Sequence, residues 1–147
     1  MTGVDVRLTR LSHGGGGASK LAPALLARLL AGVPAGIVPA QLLLGGEARH
    51  DAAVYRIGDG QAIAAAADFY TPLVDDPHDF GRIAAAAALS NLYAKGATPL
   101  FALALTGMPV DLLPLEAIGR ILDGGAAPCR LAGIPVAGGH TIDAVEP

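Results

Sequence analysis

The sequence is poor in sulfur, in aromatic rings and in clusters of one charge sign. It has no tryptophan. It has one cysteine, Cys129, so no internal disulfide can form. No apolar run approaches the roughly 18 residues of a membrane helix, and the N-terminus carries no signal-peptide core. Thirteen acidic residues against ten basic ones, for a net charge of −3 and no basic run, argue against a nucleic-acid binder or an electrostatic membrane anchor. We therefore expect a cytoplasmic protein with no nucleic-acid or membrane partner.

What is present is a chain of 147 residues that is 52% hydrophobic, much of it alanine. This length suits one domain with one core, and small side chains favour close packing of its elements. Residues 1–19 include four consecutive glycines and are predicted to form a flexible segment, while residues 20–147 form the domain. Residues 33–50 are predicted to be irregular.

Three helices are indicated by capping residues and apolar spacing. The first begins at Pro23 and carries a leucine stripe. The second begins with Asp76 as N-cap and Pro77 in the first turn, and Gly96 ends it. The third spans about residues 114–131.

Strands are indicated between these helices. The tripeptide Gly58–Gly60 is typical of a hairpin turn between "AVYRI" and "QAIAAAAD". "PLFALALT" is predicted to be a strand covered on both faces, and "GIPVAGGH" a short strand that runs into a Gly-Gly turn. The order predicts a mixed α/β domain with helices packed on a sheet.

Polar side chains lie at the ends of the apolar strands. Asp51 precedes one strand, Asp68 ends the next, and His140 with Asp143 follows a third. Carboxylates without a matching basic cluster suggest Mg²⁺, which prefers oxygen ligands. The alternative is that each aspartate only caps a turn, which is a common role for this residue.

The segment "SHGGGGASK", Ser12 to Lys20, raises the question of phosphate binding. It does not match the P-loop pattern, because the spacing from glycine to Lys20 is wrong and no Ser or Thr follows the lysine. The turn "GGH" at residues 138–140 could present main-chain N–H groups to a phosphate. His50 and His78 are interpreted as surface residues, and Cys129 as a packing residue rather than a nucleophile.

Several longer blocks together resemble selenophosphate synthetase (selenide, water dikinase). They are "RLTRLSHGGGGASK", "LLLGGEARHDAAVY", "DFYTPLVDDPHDFGRIAAAAALSNLYAKGATP" and "CRLAGIPVAGGHTIDAVEP". The resemblance implies the ATP-binding N-terminal domain of the aminoimidazole ribonucleotide synthetase-like superfamily, truncated here. It implies a mixed sheet with helices on one face, a homodimer, and conversion of ATP, selenide and water into selenophosphate, AMP and phosphate.

The resemblance also implies roles for individual residues. Lys20 corresponds to a catalytic lysine and Asp51 to a Mg²⁺ ligand, while Asp68 corresponds to an acid of the ATP site. Position 17 usually carries the reactive cysteine or selenocysteine, and position 91 usually carries a Mg²⁺-binding aspartate. The implied ATP-binding residues are Lys20, Ala48, Arg49, His50, Asp68, Asn91, Gly139, His140 and Thr141.

This chain departs from the family pattern at three points. Gly17 lacks the reactive side chain, and Ser19 replaces a second common cysteine. Asn91 keeps an oxygen but loses the charge, which should lower Mg²⁺ affinity. The family normally continues into a second domain. Two alternatives therefore stay open beside an active synthetase: a degenerate nucleotide-binding or dimerisation module, and a different kinase or synthetase of the superfamily.

Overall fold

A computed structural model describes residues 6–34, 36–45 and 50–147. Over these residues the chain forms helix α1 (Pro23–Ala31), strands β1 (Leu42–Leu44), β2 (Ala52–Gly58) and β3 (Gln61–Ala66), and helix α2 (Pro77–Tyr93). Strand β4 (Ala102–Met108), helix α3 (Leu115–Leu131) and strand β5 (Val136–Asp143) follow. Two short 3-10 turns, Leu8–Arg10 and Gly17–Ser19, precede α1. The mixed α/β class is confirmed.

The strands form two sheets in the described part of the chain. Strands β1, β2 and β3 make an antiparallel sheet, and β4 pairs with β5 in parallel. The predicted hairpin is confirmed: Gly60, with φ of 69°, turns the chain between β2 and β3. Helix α3 connects β4 to β5, as a parallel pair requires.

The start of helix α2 is set by local chemistry, as predicted. The Asp76 carboxylate accepts a hydrogen bond from the Asp79 main-chain N–H at 2.9 Å, and Pro77 occupies the first turn. Both features favour helix initiation at this point. The predicted bounds of α1 and α3 also agree with the structure to within a residue or two.

Helices α2 and α3 pack against each other at two glycines. A Cβ at Gly81 would overlap the carbonyl oxygen of Ile121, and a Cβ at Gly124 would overlap that of His78. The neighbouring core is made of Leu8, Phe80, Met108, Leu113, Ile118 and Ile121. Leu8 is fully buried in it, so the chain is packed on the domain at this residue, before the glycine run. Flexibility of residues 1–19 stays a prediction.

Three expectations about strands are wrong. Residues 33–50 contain the short strand β1, because Leu42 and Leu44 pair with β2. Within the part of the chain that the structure describes, strand β4 is covered on one face and not on the other, since Leu103 and Leu105 are each at least half exposed. The glycines at 138 and 139 lie inside β5 rather than in a turn. Glycine is needed at position 139 because a Cβ there would overlap the carbonyl oxygen of Ala104 on β4.

Among the described residues, no helix has the length and apolar character needed to cross a membrane.

Candidate functional site

Two aspartates meet at one end of the β2–β3 hairpin. Asp51 directly precedes β2, and Asp68 lies two residues beyond the end of β3. The strands are antiparallel with Ala52 paired to Ala66, so the beginning of β2 lies beside the end of β3. This register, which follows from the tight turn at Gly60, places both aspartates at the same edge.

The Lys20 ammonium contacts both carboxylates. Its Nζ lies 3.0 Å from Oδ1 of Asp51 and 3.9 Å from Oδ1 of Asp68. The Asp68 side chain is only 10% exposed, whereas that of Asp51 is 59% exposed. The hydrogen bond to Asp51, helped by the charge of Asp68, raises the pKa of Lys20 above its ordinary value. Lys20 is therefore a fully charged cation at this edge.

Helix α2 adds a fourth residue. The Asn91 side-chain amide donates to Oδ2 of Asp68 at 3.2 Å, so Asp68 is held between the lysine and the amide. We call Lys20, Asp51, Asp68 and Asn91 the Lys20 cluster. The structure thus brings together four residues that the sequence singled out from three separate parts of the chain.

The glycine segment, defined as residues 12–20, is attached beside this cluster. The Gly16 main-chain N–H donates to the Thr71 carbonyl at 2.9 Å, and the hydroxyls of Ser19 and Thr71 lie 2.7 Å apart. Gly16 has φ of 57°, which glycine adopts without strain. Sequence reasoning missed Thr71, because a partner so distant along the chain leaves no local pattern.

Position 17 offers no nucleophile. A Cβ at Gly17 would lie 3.6 Å from the hydroxyl oxygen of Tyr70, which is an ordinary van der Waals contact. The single cysteine is elsewhere: Cys129 lies on α3, is 3% exposed, and packs with Leu89 and Ile134. Burial raises the pKa of its thiol. Its interpretation as a packing residue agrees with this position.

The segment before Asp51 is described only in part. Ala48 and Arg49, both predicted nucleotide contacts, lie outside the described residues. His50 is exposed, and its Nδ1 lies 3.5 Å from Nζ of Lys95, just after α2. Sequence reasoning missed Lys95, which brings a second cation near the start of β2.

The third predicted group does not join the cluster. Gly139, His140 and Thr141 are exposed residues of β5, and no hydrogen bond or ion pair links them to the Lys20 cluster within the part of the chain that the structure describes. The turn predicted at "GGH" is not found, because β5 continues through it in register with β4. Phosphate binding by these residues stays a prediction. Asp143 accepts a hydrogen bond from the Val110 N–H at 3.3 Å, so the turn-capping alternative holds for this aspartate.

A second polar group lies at the start of α2. Oxygen and nitrogen atoms of Asp76, His78 and Asp79 come within 4.8 Å of one another. Each of these side chains already has a partner. Asp76 pairs with Arg120 at 2.6 Å, His78 lies 3.5 Å from Asp123, and Asp79 pairs with Arg82 at 3.1 Å. We interpret this group as capping and helix-pairing contacts.

Comparison with known proteins supports the resemblance. Residues 49–147 match the family model described as AIR synthase related protein, N-terminal domain. The chain belongs to this family. It is also 63% identical over 142 residues to a selenide, water dikinase of Dechloromonas aromatica (strain RCB), and 59% identical over 143 residues to one of Pseudomonas straminea.

These relatives are longer than the chain. The alignments cover 97% and 96% of this chain but only 41% and 40% of the two relatives. A selenide, water dikinase of Burkholderia ambifaria (strain MC40-6), 58% identical, gives the same coverage of 96% and 40%. The chain thus spans about two fifths of the length of these relatives. The sequence-based assignment to this superfamily is confirmed.

Proposed function

We propose that this chain is the ATP-binding part of a selenophosphate synthetase, the enzyme that converts ATP, selenide and water into selenophosphate, AMP and phosphate. The observation that carries the proposal is the Lys20 cluster. A charged lysine on a glycine-rich segment contacts two carboxylates that antiparallel strands bring to one edge. The similarity to proteins named selenide, water dikinase supports the proposed substrates.

In this proposal Lys20 is the catalytic residue of the chain. An ammonium group close to a transferring phosphoryl group stabilises the negative charge that develops on its oxygens. The glycine segment gives the main chain freedom to carry Lys20 from Asp51 toward a phosphate. Asp68 and Asn91 stay in place when Lys20 moves, because the Asn91 amide donates a hydrogen bond to Asp68 at 3.2 Å.

The donor set suits Mg²⁺. Asp51 is more than half exposed and offers a carboxylate, and Asn91 offers an amide oxygen. The Lys20 ammonium already lies within 4 Å of both carboxylates, so this position accommodates positive charge. Asp51 and Asn91 would hold the ion, with Asn91 contributing no charge. A bound Mg²⁺ supplies screening of phosphate charge.

We further propose a cytoplasmic homodimer. The apolar side chains of β4 that point away from the helices support a covering partner: Leu103 is 59% exposed and Leu105 is 50% exposed. Exposed apolar patches of this kind are typical of interaction surfaces.

Isothermal titration of the chain with ATP and Mg²⁺ tests nucleotide binding. Lys20→Ala should weaken binding by about tenfold or more, because a charge-assisted contact to phosphate is lost. Arg82→Ala is the matched control, since it also removes an exposed cation paired to a carboxylate, here Asp79 at 3.1 Å. Equal affinity of the Lys20→Ala variant and the parent would contradict the proposal, as would the absence of ATP binding by the parent.

Gly17 and Asn91 favour a second candidate, a nucleotide-binding module without synthetase chemistry. The first lacks the family's reactive side chain and the second its metal-binding charge. Selenide-dependent formation of AMP separates the candidates. AMP that appears only with selenide supports the synthetase, whereas tight ATP binding without AMP formation supports the module.

A further inference from the structure

The start of the glycine segment is bound to the end of the described chain. One carboxylate oxygen of Glu146, Oε2, accepts the main-chain N–H of His13 at 3.0 Å and lies 2.6 Å from the Nδ1 of its ring. These residues are 133 positions apart. The contacts of His13, its main-chain N–H first, hold the pKa of the Glu146 carboxyl below its usual value.

Three further contacts hold the rest of the segment. The Gly16 main-chain N–H donates to the Thr71 carbonyl at 2.9 Å, the hydroxyls of Ser19 and Thr71 lie 2.7 Å apart, and the Lys20 ammonium donates to Asp51 at 3.0 Å. Between His13 and Gly16 the chain has only glycine, which has the largest conformational freedom to lose. Anchoring the segment at His13 therefore removes part of this freedom and narrows the set of positions that Lys20 can reach.

We propose that Glu146 is a positioning residue that holds the glycine segment through His13 and thereby sets the location of Lys20. The proposal rests on the proposed function, because it assigns Lys20 to the phosphate. An exposed ion pair alone contributes little. Here, however, the same oxygen also accepts a main-chain N–H, which no rotation of the His13 side chain can remove.

The geometry predicts an order among variants. Glu146→Ala loses both contacts, Glu146→Gln keeps a neutral acceptor, and His13→Ala loses only the ring contact. The matched control is Glu116→Ala, an exposed glutamate in the first turn of α3 with no hydrogen bond or ion pair within the described residues.

Amide hydrogen exchange tests, without any nucleotide, whether Glu146 holds the glycine segment. In Glu146→Ala, exchange at residues 13–17 should accelerate roughly three- to tenfold, the range that follows from losing one ordinary hydrogen bond at an exposed position. His13→Ala should give a smaller acceleration, and Glu116→Ala none. Unchanged exchange in Glu146→Ala would overturn the proposal. So would acceleration that extends equally to α2 and α3, because the role would then be general stability.

Non-additivity of ATP affinity tests the link to Lys20. Glu146→Ala should weaken ATP binding by about three- to tenfold, and the double variant with Lys20→Ala should bind no more weakly than Lys20→Ala alone. Additive losses would contradict positioning through Lys20. If the parent binds no ATP, the proposed function fails, while the exchange experiment still decides whether Glu146 holds the segment.

Discussion

Replacing Gly81 by alanine should destabilise the protein, although the same change stabilises most helices. A Cβ at Gly81 would overlap the Ile121 carbonyl oxygen and lie 2.8 Å from the Gly125 nitrogen. Both atoms belong to the main chain of α3, so the helices must move apart. Overpacking of this kind costs up to about 3 kcal/mol, and the helix propensity of alanine offsets about 1 kcal/mol. We expect a net loss of about 2 kcal/mol in the free energy of unfolding.

Thermal and urea unfolding measure this loss, and Gly119→Ala is the control. A Cβ at Gly119 meets no atom within 4 Å, so only the propensity gain remains, about 0.5–1 kcal/mol. For a chain of this size the melting temperature should fall by roughly 4–8 °C in Gly81→Ala and rise by roughly 1–4 °C in Gly119→Ala. A rise in Gly81→Ala equal to that of the control would refute the close helix contact.

Three other predictions concern single residues. Asn91→Asp should tighten Mg²⁺-dependent ATP binding in titration calorimetry, because a charged oxygen replaces a neutral one; weaker binding would contradict a metal role. The Asp79 N–H, helped by Arg120, lowers the pKa of Asp76, so the stability it adds is present above the usual carboxyl pKa and is lost as the pH falls through the lowered value. Asp76→Ala should therefore flatten the acid limb of a stability–pH curve, and an unchanged limb would argue against this cap. Burial keeps Cys129 protonated, so a thiol reagent should modify it only as fast as the protein unfolds, and rapid labelling of the native chain would exclude that burial.

Features that depend on neighbours along the chain were predictable. The cap at Asp76 and Pro77 and the turn at Gly60 are local signals, and both are found where the sequence places them. Once the hairpin was recognised, its antiparallel pairing was enough to bring Asp51 and Asp68 to one edge. The resemblance added Lys20 and Asn91, which no periodicity or spacing could assign.

Features that depend on distant contacts were not predictable. Two glycines at positions 138 and 139 are typical of a turn, but here the strand needs Gly139 because Ala104 lies against it. Strand β1 forms only because β2 supplies partners for its leucines. The contact between His13 and Glu146 joins opposite ends of the described chain. Such pairings are set by the tertiary fold, which a short sequence window does not contain.

The bridge made by the Lys20 side chain also affects the ligand-free protein. Two carboxylates at one sheet edge would repel each other, but here the protein supplies its own counter-ion at 3.0 Å and 3.9 Å. The edge can therefore stay assembled when no ion or nucleotide is present. Folding of this region should consequently not require a divalent ion, so a chelator should leave the ligand-free protein folded.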